Sequence, residues 1–219
     1  IVAEIEGYQK VINGARAVLD HYRPHIPIHP DWPMVELSKV AEIIMRQSPP
    51  GETYNKEGKG VPLINGPVEF GPEPFSETVV NQYTTSPNKM CRKGDLILCV
   101  RGSTTGRMNI AGQDGCIGRG VAAVRSIESQ LWINYVVNSL RDKIYGLGTG
   151  STFPNVNYDV IAALPIPLPP ITTQRASVAE IETERALVNA NCELIARFEK
   201  KIQVTLARVW GEETGDMPK

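Results

Sequence analysis

The sequence predicts an α+β fold, in which a domain of small mixed sheets is flanked by two long helices that pack on each other. Three observations predict it. The same five residues occur near both ends of the chain, a seven-residue apolar spacing follows each copy, and the middle is divided by turns into short strands.

The repeat sets the outer elements. Residues 2–6 read Val-Ala-Glu-Ile-Glu, and so do residues 178–182. At the same offset Asn13 falls on Asn189, Leu19 on Ile195 and Tyr22 on Phe198. Ile5, Ile12 and Leu19 recur every seven residues in the first copy, as do Ile181, Val188, Ile195, Ile202 and Val209 in the second. That spacing keeps an apolar stripe on one side of a helix and favours coiled-coil packing. Val11 and Val18 flank the first seam, and Leu187 and Leu194 flank the second. The second helix is expected to start after Pro169-Pro170 and to run to about Trp210. At about 1.5 Å per residue it spans roughly 55–60 Å. A helix of that length needs a partner for its stripe, and the other copy is the natural one.

Residues 1–23 then read as the end of a helix, 24–30 as a linker, 31–168 as the domain, 169–210 as the second helix and 211–219 as a tail. The chain opens at Ile1 inside a helical pattern, which suggests a fragment, a trimmed chain or an omitted start. Across the end of this helix and the linker, His21, His25 and His29 stand four apart, a metal-binding spacing on a helix. Pro24, Pro27 and Pro30 break any helix there, so no metal is expected. Within the domain, 32–44 reads as a short strand and a helical turn, and Val61-Pro-Leu-Ile as a strand. Leu96–Val100 reads as a buried strand that feeds the loop 101–107, with further strands through Val124. Gln130–Tyr145 reads as one helix whose face carries Leu131, Tyr135, Val136, Leu140 and Ile144. A Gly, Ser, Thr and Asn loop covers 146–157, and 158–168 reads as strand. This order is α+β rather than strict βα alternation.

Net charge is −1, with 42% hydrophobic and 21% charged residues, a globular composition. The four cysteines form no CxxC pair, and no apolar run spans a membrane. A reduced, cytoplasmic protein is expected. Charge is uneven along the domain. From Lys89 to Arg125 seven bases (Lys89, Arg92, Lys93, Arg101, Arg107, Arg119 and Arg125) face two acids, Asp95 and Asp114, an excess of five. Residues 32–88 hold seven carboxylates and four bases. A basic segment rich in Gly, Ser and Thr suits phosphate contacts, because arginines neutralise charge and small residues let backbone N–H groups approach.

Two stretches come near catalytic patterns. Ser48-Pro49-Pro50 is similar to the Ser/Asn/Asp-Pro-Pro-aromatic motif of amino-methyltransferases, but Gly51 stands where the base-stacking ring belongs, and no Gly-rich cofactor loop opens a βα unit. Pro30-Asp31 with Glu57-Gly58-Lys59 spells a PD–ExK nuclease signature. That chemistry needs both carboxylates on strand ends gripping Mg²⁺, and here one lies in a proline linker and the other in a turn-like stretch.

Three segments carry a family resemblance. They are Lys93-Gly94-Asp95-Leu96-Ile97-Leu98-Cys99-Val100-Arg101-Gly102; Gly150-Ser151-Thr152-Phe153-Pro154-Asn155-Val156-Asn157; and Leu164–Pro170 followed by Gln174-Arg175 and Val178–Glu182. In this order and spacing the chain resembles the specificity subunit of type I restriction–modification systems. The resemblance implies a target recognition domain and conserved spacer helices packed as an antiparallel coiled coil. It implies either the second half of a full subunit or a half-sized subunit that forms a homodimer through those helices. It implies no catalysis: S-adenosylmethionine belongs to the partner methyltransferase, which modifies adenine, and ATP and Mg to the restriction subunit. Partners are then double-stranded DNA, the methyltransferase and, through the complex, the restriction subunit. Candidate DNA contacts are Arg46, Gln47, Lys56, Lys59, Arg101, Ser103, Thr104, Arg107 and Arg119, since Arg and Lys pair with guanine and Gln with adenine. Arg101 and Arg107 flank the loop best placed by the motif. The competing role for Arg101 is an ion pair at a strand end. Ser151, Thr152 and Asn155 are expected to hold the domain to its spacer helix. The competing functions are a helical scaffold with no DNA binding of its own, and the Mg-dependent nuclease.

Overall fold

The seven-residue spacing at the two ends produces two long helices. The computed structural model describes residues 1–210 except Arg23, His25, Arg46 and 151–153. The chain divides into two compact units, Ile1–His25 with Ala179–Lys219, and Ile26–Val178.

The first unit holds α1 (Val2–His21) and most of α6 (Ile171–Trp210), a helix of 40 residues. They run antiparallel. Tyr8, early in α1, stacks on Phe198 at 5.3 Å, whereas Tyr22, just past its end, donates to Glu184 Oε2 at 3.1 Å. Arg16 reaches Glu199 at 2.7 Å. Lys201 lies over the Phe198 ring at 4.5 Å. Of the seam residues, Ile12 and Ile181 are buried, and Ile5, Leu19, Val188, Ile195 and Ile202 are half-buried. Ala15 and Thr205 fill buried positions between them. Burying an Ile side chain contributes about 1.5–3 kcal/mol, so Ile12 and Ile181 are the strongest fasteners of the pair.

The second unit is built on sheets. In chain order its elements are β1 (Met34–Glu36), α2 (Leu37–Val40), β2 (Ala41–Ile44), β3 (Tyr54–Asn55), β4 (Val61–Ile64), β5 (Tyr83–Thr84), β6 (Met90–Cys91), β7 (Leu96–Cys99), β8 (Met108–Ile110), β9 (Gly115–Ile117) and β10 (Val121–Ser126). There follow α3 (Gln130–Ser139), α4 (Arg141–Gly146), α5 (Tyr158–Ala162) and β11 (Pro165–Pro167). One sheet is antiparallel in the order β2-β10-β7-β8. A second runs β3-β5-β4-β9-β6 and is mixed, with β4 and β9 parallel. A two-stranded pair joins β1 to β11.

Alternation along β7 and β10 explains the layering. Ile97, Cys99, Val121 and Ala123 share a core with Ile64, Cys91 and Ile117 of the mixed sheet. Leu96, Leu98, Ala122 and Val124 point the other way and are equally buried, on the side where α3 lies against β10. Trp132 of α3 is fully buried. Its indole N–H donates to Pro167 O at 3.0 Å, and its ring meets Trp32 edge-on at 5.8 Å. A buried indole with a satisfied N–H anchors the β1–β11 pair to the helix.

Three expectations need correction. The stretch 130–145 is two helices rather than one: Ser139 Oγ donates back to Val136 O at 2.7 Å, and the turn relaxes at Leu140. Leu131 is 47% exposed and not on the buried face, which Trp132, Ile133, Val136 and Val137 form. Residues 158–162 are helix rather than strand, because the Asn157 side chain accepts the Val160 N–H at 3.0 Å and caps a short turn. Strand resumes only at Pro165–Pro167. Within 24–30, Ile26 is only 2% exposed and belongs to the sheet unit.

Candidate nucleic-acid interface

Antiparallel pairing gathers four chain segments at one end of the β2-β10-β7-β8 sheet. β2 leaves the sheet into Gln47 and Ser48. β10 enters from Gly118-Arg119-Gly120, β7 leaves into Arg101, and β8 enters from the loop 102–107. The pairing Val121↔Cys99 extends one step further, as Val100 N–H donates to Gly120 O at 2.9 Å, so Arg101 and Arg119 leave neighbouring strand ends. Arg119 N–H donates to Ser48 Oγ at 2.8 Å and ties the exit of β2 to the entry of β10. Gln47, Arg101, Ser103 and Arg119 are exposed, and Thr104 is half-buried. Arg46 lies outside the described residues.

The loop 101–107 is rigid for reasons its sequence supplies. Gly102 and Gly106 have φ of 83° and 86°, a region that side-chain-bearing residues avoid. The loop is also clamped by the second motif segment. Gly102 N–H and Thr105 Oγ1 both donate to Pro154 O, at 3.2 and 3.1 Å, and Val156 N–H donates to Val100 O at 2.9 Å. Arg101 and Asn155 form an antiparallel bridge. The two motif segments, some fifty residues apart, therefore meet here, with Asn155 against the start of the 101–107 loop. Ser151 and Thr152 lie outside the described residues.

The basic segment separates into two kinds of cation. Arg125 is structural. Its guanidinium donates to both oxygens of the buried Asp95, at 3.0 and 2.7 Å, and to Glu42 at 2.8 Å. The Asp95 hydrogen bonds raise its pKa. Lys93 sits 3.9 Å from Glu77. Arg107, half-buried, donates to Gly71 O at 3.0 Å and lies 5.9 Å from the Phe70 ring centre. Lys89, Arg92, Arg101 and Arg119 make no ion pair among the described residues.

Lys56 and Lys59 are not part of this gathering. They occupy the exposed turn between β3 and β4, at the opposite end of β4 from Asn65. There Asn55 Oδ1 accepts the Lys59 N–H, and Lys59 pairs with Glu57 at 2.8 Å. Glu57 and Lys59 of the nuclease-like signature thus face each other on a solvated turn. Asp31 is 87% exposed beside His29. Among the described residues no three His, Cys, Asp or Glu side chains group as metal ligands.

Sequence reasoning missed Asn65, Val68 and the unpaired state of Lys89 and Arg92. Asn65 follows β4 and abuts this sheet end: a Cβ on Gly118 would meet its Oδ1 at 2.0 Å. Val68 is 73% exposed on the turn after Asn65, which the buried Glu69 fixes by accepting the Asn65 and Gly66 N–H groups. The glycines of Gly118-Arg119-Gly120 were the available signal, since close backbone approach explains both.

A strand-end platform whose Arg101 and Arg119 guanidinium groups make no ion pair among the described residues, with the exposed Gln47 amide beside them, has the form of a candidate nucleic-acid interface. The chain belongs to the type I restriction modification DNA specificity domain family, whose model matches residues 30–188. A curated relative is the putative type I restriction enzyme MjaX specificity subunit of Methanocaldococcus jannaschii. It is 36% identical over 183 residues, covering 78% of this chain and 41% of the relative. The HsdS subunit from Thermoanaerobacter tengcongensis superposes with a TM-score of 0.68 at 28% identity, over 94% of this chain and 52% of that one. A chain from a structure on complex assembly and conformational transition of the type I R-M system gives 0.70 at 29% identity, over 95% and 57%. The S subunit of M. genitalium shares the fold, at 0.58 and 13% identity, over 99% of this chain and 58% of that one. The chain spans about half the length of these relatives. Among the described residues no helix is long and apolar enough to cross a membrane.

Proposed function

We propose that this chain reads one half of a bipartite duplex target and directs a methyltransferase–restriction complex to it, without catalysing any step itself. The observation that carries this is the convergence of Arg101, Arg119 and Gln47 on one rigid sheet end. Arg presents a planar fork that matches guanine O6 and N7, and Gln matches adenine N6 and N7. Cofactor chemistry is left to the partners, S-adenosylmethionine to the methyltransferase and ATP and Mg to the restriction subunit. The working compartment is the cytoplasm, where the genome is. Co-expression with the methyltransferase of its own system, followed by mapping of methylated adenines, tests the reading. A single recurring half-site is expected. Methylation at unrelated sequences, or none beyond the methyltransferase alone, would overturn it.

The scaffold role is favoured by a specific observation and accompanies reading rather than replacing it. Val11 and Leu187 occupy equivalent repeat positions, as do Val18 and Leu194, and all four are exposed, at 38, 67, 44 and 36%. Equivalent apolar positions on both helices suit two copies of one partner, the methyltransferase. Leu187→Asp is expected to weaken its capture while leaving the helix pair folded.

A further inference from the structure

We propose that the groove between the edge strands β2 and β6 carries the phosphodiester backbone of bound DNA, with Lys89 and Arg92 as phosphate contacts. The inference rests on the reading of the chain as a duplex binder and extends its footprint away from the strand ends.

β2 is the edge of the antiparallel sheet, and β6 is the edge of the mixed one. Between them lies an open groove of about 590 Å³, walled by residues 42–45 on one side and 88–92 on the other. The groove joins the reading end directly. Ile117 N–H donates to Lys89 O at 2.8 Å, and Arg119 stands two residues beyond Ile117. On the other wall, Met45 lines the groove, and Ser48, three residues on, holds the Arg119 N–H. A strand tracking from Arg101 past Arg119 therefore meets Lys89 and then Arg92.

The exposed cations of the groove support an anionic occupant. Of the lining carboxylates, Glu42 is paired with Arg125 at 2.8 Å, and Asp114 accepts the Lys93 main-chain N–H at 2.8 Å and keeps its charge. Arg125 is spent on Asp95 and Glu42. Lys89 and Arg92 are exposed and make no ion pair among the described residues. Both cations stand on the β6 wall without a counter-ion, which leaves their side chains available to an anionic occupant. The polar lining and the cations suit phosphate oxygens, which carry no sequence information, so these residues position the duplex while the strand ends read it.

The test uses the chain assembled with its methyltransferase, a fluorescent duplex of the mapped target and a second duplex of unrelated sequence. Each cation that neutralises a phosphate contributes about 0.9 to the slope of log affinity against log salt. Lys89→Ala and Arg92→Ala are each expected to flatten that slope by about 0.9 on both duplexes. The advantage of wild type over variant then shrinks by roughly threefold between 50 and 200 mM salt. The methylated sequence stays the same. Lys39→Ala, an equal loss of charge at the other end of β2, leaves the slope unchanged. Unchanged slopes for Lys89→Ala and Arg92→Ala in an assembly that still methylates its target overturn the groove and leave the reading intact. An equal slope change for Lys39→Ala also overturns it, since the effect is then net charge. No duplex binding by the wild-type assembly removes the reading and the groove together.

Discussion

The Ser48 hydroxyl accepts the Arg119 main-chain N–H at 2.8 Å, so the residue that opens a methyltransferase-like Ser-Pro-Pro instead positions an arginine. The bond fixes the backbone of Arg119 and leaves its side chain exposed. The two residues should therefore fail differently. Arg119→Ala is expected to keep stability within about 0.5 kcal/mol. It should relax the preference at one target position by about 1–3 kcal/mol, read from the methylated-sequence logo and duplex binding. Ser48→Ala should cost about 0.5–1.5 kcal/mol in urea unfolding, the worth of one hydrogen bond.

Arg107 is expected to behave as part of the fold. Its guanidinium donates to Gly71 O and lies against Phe70, which ties the 71–76 segment to β8. Arg107→Ala strands a partly buried carbonyl and removes a cation–π contact, so unfolding should cost about 1–3 kcal/mol less. The methylated sequence of the co-expressed complex should stay the same. A changed sequence at full stability would return Arg107 to the reading surface.

Arg101 and Arg107 show what the sequence could and could not disclose. Both flank one Gly-bounded loop, and in sequence they look equivalent. What separates them is the 71–76 segment, which is irregular and reaches Arg107 only in three dimensions. The same holds for Lys93 and Arg125, whose acids come from elsewhere in the chain. The helices were legible to within a residue or two, because a seven-residue repeat is a local signal and Pro169-Pro170 fixes the start of α6. The strand Leu96–Cys99 was legible because it is a buried apolar run between turn signals. Residues 158–162 were misread because apolar content outweighed the Asn157 cap. The gathering at the sheet end follows from strand pairing, and no spacing along the chain encodes it.

The thiols offer a test of the core with a pH dependence. Burial pushes Cys91 and Cys99 up to about 11. Cys116 is buried and Cys192 exposed. Thiolates are the reactive form, so native protein at pH 8 should lose one thiol quickly to a maleimide and the other three only on unfolding. Because both pKa values rise on folding, the folded state favours the protonated thiols. Stability from this source is present below about 9 and is lost as pH climbs from about 9 to about 11. Rapid native labelling of Cys91 or Cys99, seen by peptide mass spectrometry, would contradict the packed sheet interface.

Arg125 and Asp95 supply a second stability test. Asp95 has a side chain only 4% exposed, and it also accepts the Arg92 N–H at 2.7 Å. Arg125→Ala leaves that carboxylate without its bidentate partner, and the expected loss is about 3 kcal/mol. Arg125→Ala with Asp95→Asn should recover part of it, because no buried charge is then stranded. Additive losses in the double-mutant cycle would show that the pair is not coupled.

The helix pair can be tested by two neighbouring residues with opposite environments. Ile12 is 2% exposed in the seam between α1 and α6, and Val11 is 38% exposed beside it. Truncating a buried isoleucine removes its transfer energy and leaves a cavity, so Ile12→Ala should destabilise the helical unit by about 2–5 kcal/mol. Val11→Ala should change unfolding by less than about 0.5 kcal/mol. The two variants should diverge again in partner capture. Ile12→Ala loses methyltransferase binding in step with helicity, measured by circular dichroism. Val11→Asp keeps helicity and weakens capture alone. If Val11→Asp melts the helices as Ile12→Ala does, the exposed stripe belongs to the seam, and the methyltransferase must dock elsewhere.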